Sequence, residues 1–451
     1  MVSRARHGWL FLTLILIASM TWTIPAGAAP GDLDRTFGGD GKVVTNLTAG
    51  RDSTADVAIQ ANGRIVVVGR TIGRHHGKFA LARYRTDGHL DTRFGGDGIV
   101  TTNLAKRENS ASAVAIQPDG KIVVAGTANI ASINYVFAIA RYERDGTLDA
   151  QFGKSGKVRV GFTTGGDDSA ADVAIQPDGK IVVVGSSYVL DRFALARLDP
   201  DGSLDTSFGG DGRVTTSVGP GGESAQAVTI QPDGKMVVAG ESWTLSGFDG
   251  IDVVRYETDG QVDLEFGNNG VATVELTEGI DGGGDMARAV AIQPDGKIVV
   301  AGDAGGDAEY TSSFGLARFD ADGTPDATFH GDGKVVTNFT KWDDSASDLT
   351  IRADGRIVAA GVAGYGWDSV ATFAIVRYDP DGTLDDSFGR GGKLRTRFRA
   401  ILPDEPVGIV GAGASGIAIQ ADGRIVVAGT VDRVADDRMD GRFAVARYRN
   451  R

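Results

Sequence analysis

One pattern written seven times governs what this chain can become. A copy reads AVAIQPDGKIVVAG, then a stretch of variable length, FALARY, a DG-x-LD-x-x-FG segment and a short KVVTN-like run. The glycine of its first turn recurs at Gly63, Gly120, Gly179, Gly234, Gly296, Gly355 and Gly423. The outermost two are 360 residues apart, so the six intervals average 60. One such unit cannot bury both faces of a sheet alone. Neighbouring copies must stack, and a repeat of this length without helical periodicity implies a ring of small sheets.

The second copy shows how each sheet is made. Residues 113–117, Ala-Val-Ala-Ile-Gln, alternate small and bulky side chains, the period of a first strand. Pro118-Asp119-Gly120 follows. Proline presets φ for a type I turn, aspartate suits the next position, and glycine takes the left-handed conformation of a bulged hairpin. Residues 121–126 are nearly all apolar, as in a strand covered on both faces. Residues 137–142 form a third strand, Asp145-Gly146 another turn, and residues 157–160 a fourth strand. Four strands in seven copies predict an all-β fold, a seven-bladed β-propeller with four antiparallel strands per blade. The copies begin with an unpartnered fourth strand, Lys42–Asn46, and end with an unpartnered third, Phe443–Tyr448. Their pairing would complete the last blade, close the ring and remove two open sheet edges.

The wording AVAIQPDGKIVVAG…FALARY…LD..FG resembles the delta-60 repeat family of bacterial β-propellers, over residues 31–448 and in all seven copies. Departures are mild. Ile251-Asp252 lacks the leading phenylalanine of the other copies, Ala61-Asn62 replaces Pro-Asp, and His330 replaces a turn glycine. The resemblance implies the propeller fold and no defined activity.

Residues 1–28 read separately. Arg4 and Arg6 precede an apolar run from Trp9 to Ile24, Pro25 breaks it, and Ala26-Gly27-Ala28 has the small-x-small form of a signal peptidase site. The run is short of the roughly 20 residues a spanning helix needs. The expectation is a secretory signal over 1–28, a single propeller domain over 29–451, a secreted monomer, and no membrane insertion after cleavage. Loss of Arg4 and Arg6 moves the formal charge from −13 to −15. Such an acidic product is unsuited to nucleic acid or anionic membranes. There is no cysteine; disulfides, thiolate metal sites and cysteine nucleophiles are excluded, and stability must come from packing.

Groups used identically in every copy are expected to be architectural. These are the arginines Arg83, Arg141, Arg197, Arg255, Arg318, Arg377 and Arg447, the aspartates Asp34, Asp91, Asp149, Asp205, Asp263, Asp326 and Asp385, and the phenylalanine of each FG. They read as Arg–Asp pairs beside wedged rings. Asp199-Pro200-Asp201-Gly202-Ser203-Leu204-Asp205 has calcium-loop spacing, but no glutamate stands at the twelfth position and turn chemistry explains Asp-Gly. Gly411–Gly416 spells GxGxxG without the preceding strand and following helix of a dinucleotide site, and reads as a loop. His75 and His76 share a loop with Arg74 and Lys78, a poor cation site. No cofactor, metal site or catalytic set is expected.

Function should then lie where the copies differ. In an up-and-down blade the 1–2 and 3–4 turns share one face of the ring, and the 2–3 and 4–1 loops share the other. The second pair varies here, and variable loops on a rigid scaffold carry binding. They hold Tyr135, Tyr188 and Phe248, and the candidate ligand-binding rings Trp243, Tyr310, Trp342, Tyr365 and Trp367. The longest, 399–413, adds Asp404 and Glu405. Ahead of the first strands stand Asp52, Asp168, Glu223, Asp285 and Asp344, either an acidic ring around the channel mouth or caps of their own turns. The expected function is a binding or scaffolding module that meets a protein, glycan or cell-wall component through this face. A glycoside hydrolase or lyase using paired carboxylates and a calcium-stabilised structural protein are the alternatives.

Overall fold

The structure is a computed structural model describing residues 29–73, 76–131, 134–219, 221–244, 247–277, 284–305, 311–366, 370–398, 409–435 and 438–450. Its strands form seven four-stranded antiparallel sheets. Blades 1 to 6 each take four consecutive strands, over 51–102, 109–160, 168–216, 222–274, 286–337 and 343–396. Blade 7 takes three strands over 409–448 and, as its outermost, Lys42–Thr45 from the other end of the chain. Val43 stands opposite Val445 and Val44 opposite Ala444. The first strands touch one another all round, blade 7 against blade 1 included, so the ring is closed.

Burial follows strand position. In the second strand of blade 1, Ile65 to Val68 are all fully buried, as are Phe79 to Ala82 in the third. Both strands are sandwiched between neighbouring blades, which is why they lack alternation. The first strands keep a mixed pattern because one side faces the central channel.

Each first strand carries one extra residue against the second. The register slips between Thr54 and Asp56, Ala111 and Ala113, Ala170 and Asp172, Ala225 and Ala227, Ala287 and Ala289, Ala346 and Asp348, and Ala414 and Gly416. Such a bulge bends the strand and re-aims side chains. It also explains the glycine that ends each IVVxG run. A Cβ at Gly185 would lie 2.0 Å from the Ser169 carbonyl oxygen, and one at Gly302 only 1.8 Å from that of Met286.

The repeated charges form a clamp at each blade seam, on the face of the 1–2 and 3–4 turns. In blade 2 the Arg141 guanidinium lies 4.5 Å over the Phe152 ring and its Nε donates to Asp149 Oδ2 at 2.8 Å. Lys121 Nζ reaches the same oxygen at 2.8 Å, and Arg141 Nη1 donates to the Pro200 carbonyl of blade 3. The Arg–Asp pair recurs in every blade, through to Arg447 with Asp34 at 2.9 Å. Asp205, in the stretch with calcium-loop spacing, is held by Lys180 and Arg197 at 2.7 Å each. Burial alone would raise the Asp149 carboxyl. Hydrogen bonds from Lys121, the Gln151 amide and Arg141 outweigh it and hold the group down at about 2. Tyr84 ties blade 1 to the closing strand, its hydroxyl donating to Thr45 Oγ1 at 2.8 Å.

Two expectations need correcting. Gly411–Gly416 is no loop: it lies within the first strand of blade 7, Ile409–Ile419. Its small residues pair with a long second strand, Ala412 opposite Val431 and Gly413 opposite Thr430, and the Ala412 amide bonds the Ala371 carbonyl of blade 6 at 2.9 Å. Some residues expected in loops also lie in strands, Trp243 in Met236–Thr244 and Tyr135 in Asn134–Tyr142. His330 keeps the turn geometry of the glycines it replaces, with φ of +51° against +62° at Gly95.

Candidate functional site

The seven bulges set Ala55, Ser112, Ala171, Gln226, Arg288, Ser347 and Ser415 along the central channel. The next residue in each copy is Asp56, Ala113, Asp172, Ala227, Ala289, Asp348 or Gly416. The three aspartates stitch first strands together across the seams. Asp56 accepts from its own Val57 amide and from Val114 of blade 2; Asp172 does the same with Val173 and Val228, and Asp348 with Leu349 and Ile417. All three are partly open to the narrow lumen yet walled by protein. Burial pushes the Asp172 carboxyl up to about 6 despite its two amide bonds. Asp56 and Asp348 are raised by burial too, and by the charges of the neighbouring aspartates.

Toward the variable-loop face the channel opens into a recess of about 280 Å³. Hydroxyls from Ser112, Ser169, Ser186 and Ser224, the Gln226 amide and the Arg288 guanidinium line it, and Tyr188, 48% exposed, stands at its edge. Beside Tyr188, Val189 and Leu190 are exposed at the tip of the same 2–3 turn.

At four seams the residue after the IVVxG glycine reaches for the first strand of the next blade. Thr127 bonds Ser169 at 2.9 Å, Ser186 bonds Ser224 at 2.6 Å, Asp303 accepts from the Ser345 hydroxyl, and Thr430 Oγ1 accepts from the Thr54 amide at 2.9 Å. Blade 1 has Arg70, paired with Glu108, and blade 6 has the apolar Val362 in this column, and at the seam of blades 4 and 5 the relay is also replaced. The residue there is Glu241, and Met286 occupies the column that holds Ser169, Ser224 and Ser345 elsewhere. Glu241 instead accepts from Gln226 Nε2 at 2.8 Å through one oxygen, while its other oxygen is buried with no hydrogen-bond partner. Burial is the main cause that lifts its carboxyl to about 7. The Gln226 bond and Arg288 oppose the rise, and Asp303 and Asp252 add to it. Arg288 donates to Asp303 Oδ2 at 3.1 Å.

The residues singled out from sequence fall elsewhere. Asp52, Asp168, Glu223, Asp285 and Asp344 are buried and turned into their own 4–1 loops. Asp52 accepts from the Leu47 amide at 2.7 Å, Asp168 from Phe162 at 2.9 Å, Glu223 from Gly219 at 2.7 Å, Asp285 from Leu276, and Asp344 from Phe339 at 2.7 Å. The Trp243 ring lies over Gly222, and that of Trp342 over Gly366 with Lys341 Nζ 5.1 Å away. Neither lines the recess. Tyr310, Trp367, Asp404, Glu405 and the side chain of Tyr365 lie outside the described residues. Sequence reading passed over Gln226, Glu241, Arg288 and the three channel aspartates. The signal for them is disagreement between copies at three fixed columns: the bulge residue, its successor, and the residue after the IVVxG glycine.

No curated protein matches the sequence. Among solved structures, a catalytically inactive virginiamycin B lyase from Staphylococcus aureus is similar, with 11% identity and a TM-score of 0.48, over 90% of this chain and 98% of that one. Sqt1 from Chaetomium thermophilum has 13% identity and a TM-score of 0.45, over 89% and 97%. The polysaccharide lyase Uly1 has 11% and 0.44, over 89% and 91%. Likenesses this distant carry no function across. The family model described as a domain of unknown function (DUF5122) beta-propeller matches residues 60–94, 117–152, 176–208, 231–266, 293–329 and 352–388. Each match runs from the end of a first strand to the FG wedge, and the chain belongs to this β-propeller repeat family.

Proposed function

We propose that the protein is an exported binding module that takes a hydroxyl-rich ligand, the end of a glycan, at the channel mouth on its variable-loop face. The supporting observation is the recess itself, where hydroxyls of three blades, a carboxamide and a guanidinium converge beside an exposed tyrosine. Sugars need this mixture of bidirectional hydroxyl partners and one aromatic face. Its volume of about 280 Å³ is just under the ~300 Å³ where pockets for drug-sized ligands begin, which suits a terminal unit more than an extended chain. The clamps and the closing strand supply the rigid frame.

The test is an oligosaccharide array probed with residues 29–451 and with the Tyr188→Ala variant, whose exposed ring bears little on folding. The expected result is a bound oligosaccharide whose affinity falls at least about tenfold in the variant, the scale of a lost aromatic anchor. Equal binding by both proteins, or no binding across the array, would overturn the proposal. Export is checked by the mass of the secreted product, which should begin near Ala29.

A further inference from the structure

Of the seven bulge residues along the channel, six are small or neutral and one, Arg288, is charged. It is also the one ionised group lining the recess, where no carboxylate stands among the described residues. The other six blades close without an arginine at this column, so the ring does not require it. The Arg288 side chain is 37% exposed. Its Nη2 serves Asp303 Oδ2 and the Met286 sulfur, each at 3.1 Å, and among the described residues no group accepts from Nε or Nη1. The hydroxyls beside it have hydrogens to spare. Gln226 Nε2 donates to Ser224 Oγ at 3.0 Å, Ser224 and Ser186 share one bond at 2.6 Å, and Ser186 bonds the Tyr188 hydroxyl. Three hydroxyls in a row spend two hydrogens on one another, whichever way each bond points, and one is left over. Thr127 and Ser169 share a single bond at 2.9 Å and leave another.

We infer that Arg288 receives a carboxylate of the ligand, with the recess hydroxyls donating beside it, so that the glycan ends in a uronic acid. Free guanidinium N–H groups and surplus O–H donors are the complement of an anionic oxygen, and bonds to it are the strong, charge-assisted kind. One fixed positive charge balances one negative charge. A phosphate ester, carrying about 1.5 to 2 charges at pH 7, would leave its excess facing Asp303. The nearest acids leave the recess open. Asp303 takes one edge of the guanidinium, and in the chamber below backbone amides hold both oxygens of Asp56, Asp172 and Asp348. The acidity of the chain as a whole acts at long range, where salt screens it beyond about 8 Å. The inference rests on the recess being the ligand site and narrows the ligand to an acidic sugar.

Titration calorimetry with four probes tests it: a galacturonic acid trimer, its methyl ester, a sulfated galactose trimer, and lactate, a hydroxy acid with no sugar ring. The acid trimer should bind at least about tenfold tighter than its ester, the scale of a charge-assisted contact. Arg288→Gln should bring the two within about twofold of each other. Arg288→Lys keeps the charge and should keep a preference of several-fold. Each protein is read by the ratio of two probes, so partial misfolding of a variant lowers both affinities and leaves the ratio intact. Equal affinity for acid and ester, or a preference that survives Arg288→Gln, overturns the carboxylate anchor and leaves the glycan reading standing. Tighter binding of the sulfated trimer through Arg288 overturns the uronic acid in favour of a sulfate ester. Lactate binding that depends on Arg288, with no trimer bound, overturns the glycan reading and upholds the anchor. No binding by any probe overturns both.

Discussion

The glycine ending each IVVxG run is needed for space. Unlike the turn glycines, Gly185 and its six counterparts have no positive φ. Each backs onto the bulge, where a methyl group would overlap a carbonyl oxygen of the partner strand. Gly185→Ala should therefore destabilise by about 3 kcal/mol, the upper end of overpacking costs. Gly413 gives the contrast, since its Cβ would sit 3.8 Å from Val362 in ordinary contact. Gly413→Ala should be neutral or gain up to about 1 kcal/mol by restricting the unfolded chain. Melting midpoints of the two variants decide the matter: similar losses would mean that the bulge does not set the requirement. His330→Gly should stabilise by about 1 kcal/mol, because a β-carbon in the left-handed region costs about that much.

At the scale of elements, the closing strand binds both ends of the chain. Residues 29–46 supply the fourth strand of blade 7 and also Asp34, the partner of Arg447 and Arg424. Deleting them leaves an open edge and a guanidinium that is 2% exposed without its carboxylate, a loss of about 3–5 kcal/mol for the pair alone. The truncated protein should melt at least about ten degrees lower and run larger than a monomer in size exclusion as edges pair. Asp34→Asn separates the two contributions, keeping the strand and removing the charge. A truncated chain that melts like the full one would leave closure without weight. The blades and their closure were legible in sequence because Pro-Asp-Gly and Asp-Gly mark the strand ends and the residues between obey strand periodicity. The outer reach of strands was not, since the partner extends them: Gly411–Gly416 is drawn into a ladder by 425–435. The channel residues were hidden for a related reason. A bulge shifts the inside–outside alternation by one, so a period-two reading across Ala55-Asp56 or Gln226-Ala227 aims the wrong side chains inward.

The ring as a whole carries two belts of carboxyls whose proton affinities move in opposite directions. In the seam clamps, hydrogen bonds and cations overcome burial and hold Asp149 at about 2, with Asp91, Asp205, Asp263 and Asp326 lowered likewise. Their stabilisation is present above the ordinary carboxyl value of 3.8 and is lost only as pH falls toward about 2. Along the channel, burial raises Asp172 to about 6 and Glu241 to about 7, with Asp56 and Asp348 also raised. There the folded state holds its protons more tightly than the unfolded one. The stability tied to those protons is complete below about pH 4 and disappears as pH climbs through 6 and 7. Stability should thus peak near pH 4–5 and decline toward pH 8, on the acid side of where an ordinary protein is most stable. For Asp172 the rise from 3.8 to about 6 corresponds to about 3 kcal/mol, which water in the lumen reduces to about 1–2 kcal/mol. Asp172→Asn keeps an oxygen for the Val228 amide and removes the titration, so its decline between pH 5 and pH 8 should be shallower by about that amount. Thermal melts of both proteins from pH 4 to pH 9 read this directly. A wild-type midpoint that stays level across the range, or a variant with the same slope, would mean that the channel aspartates are fully solvated and that lumen water sets their charge.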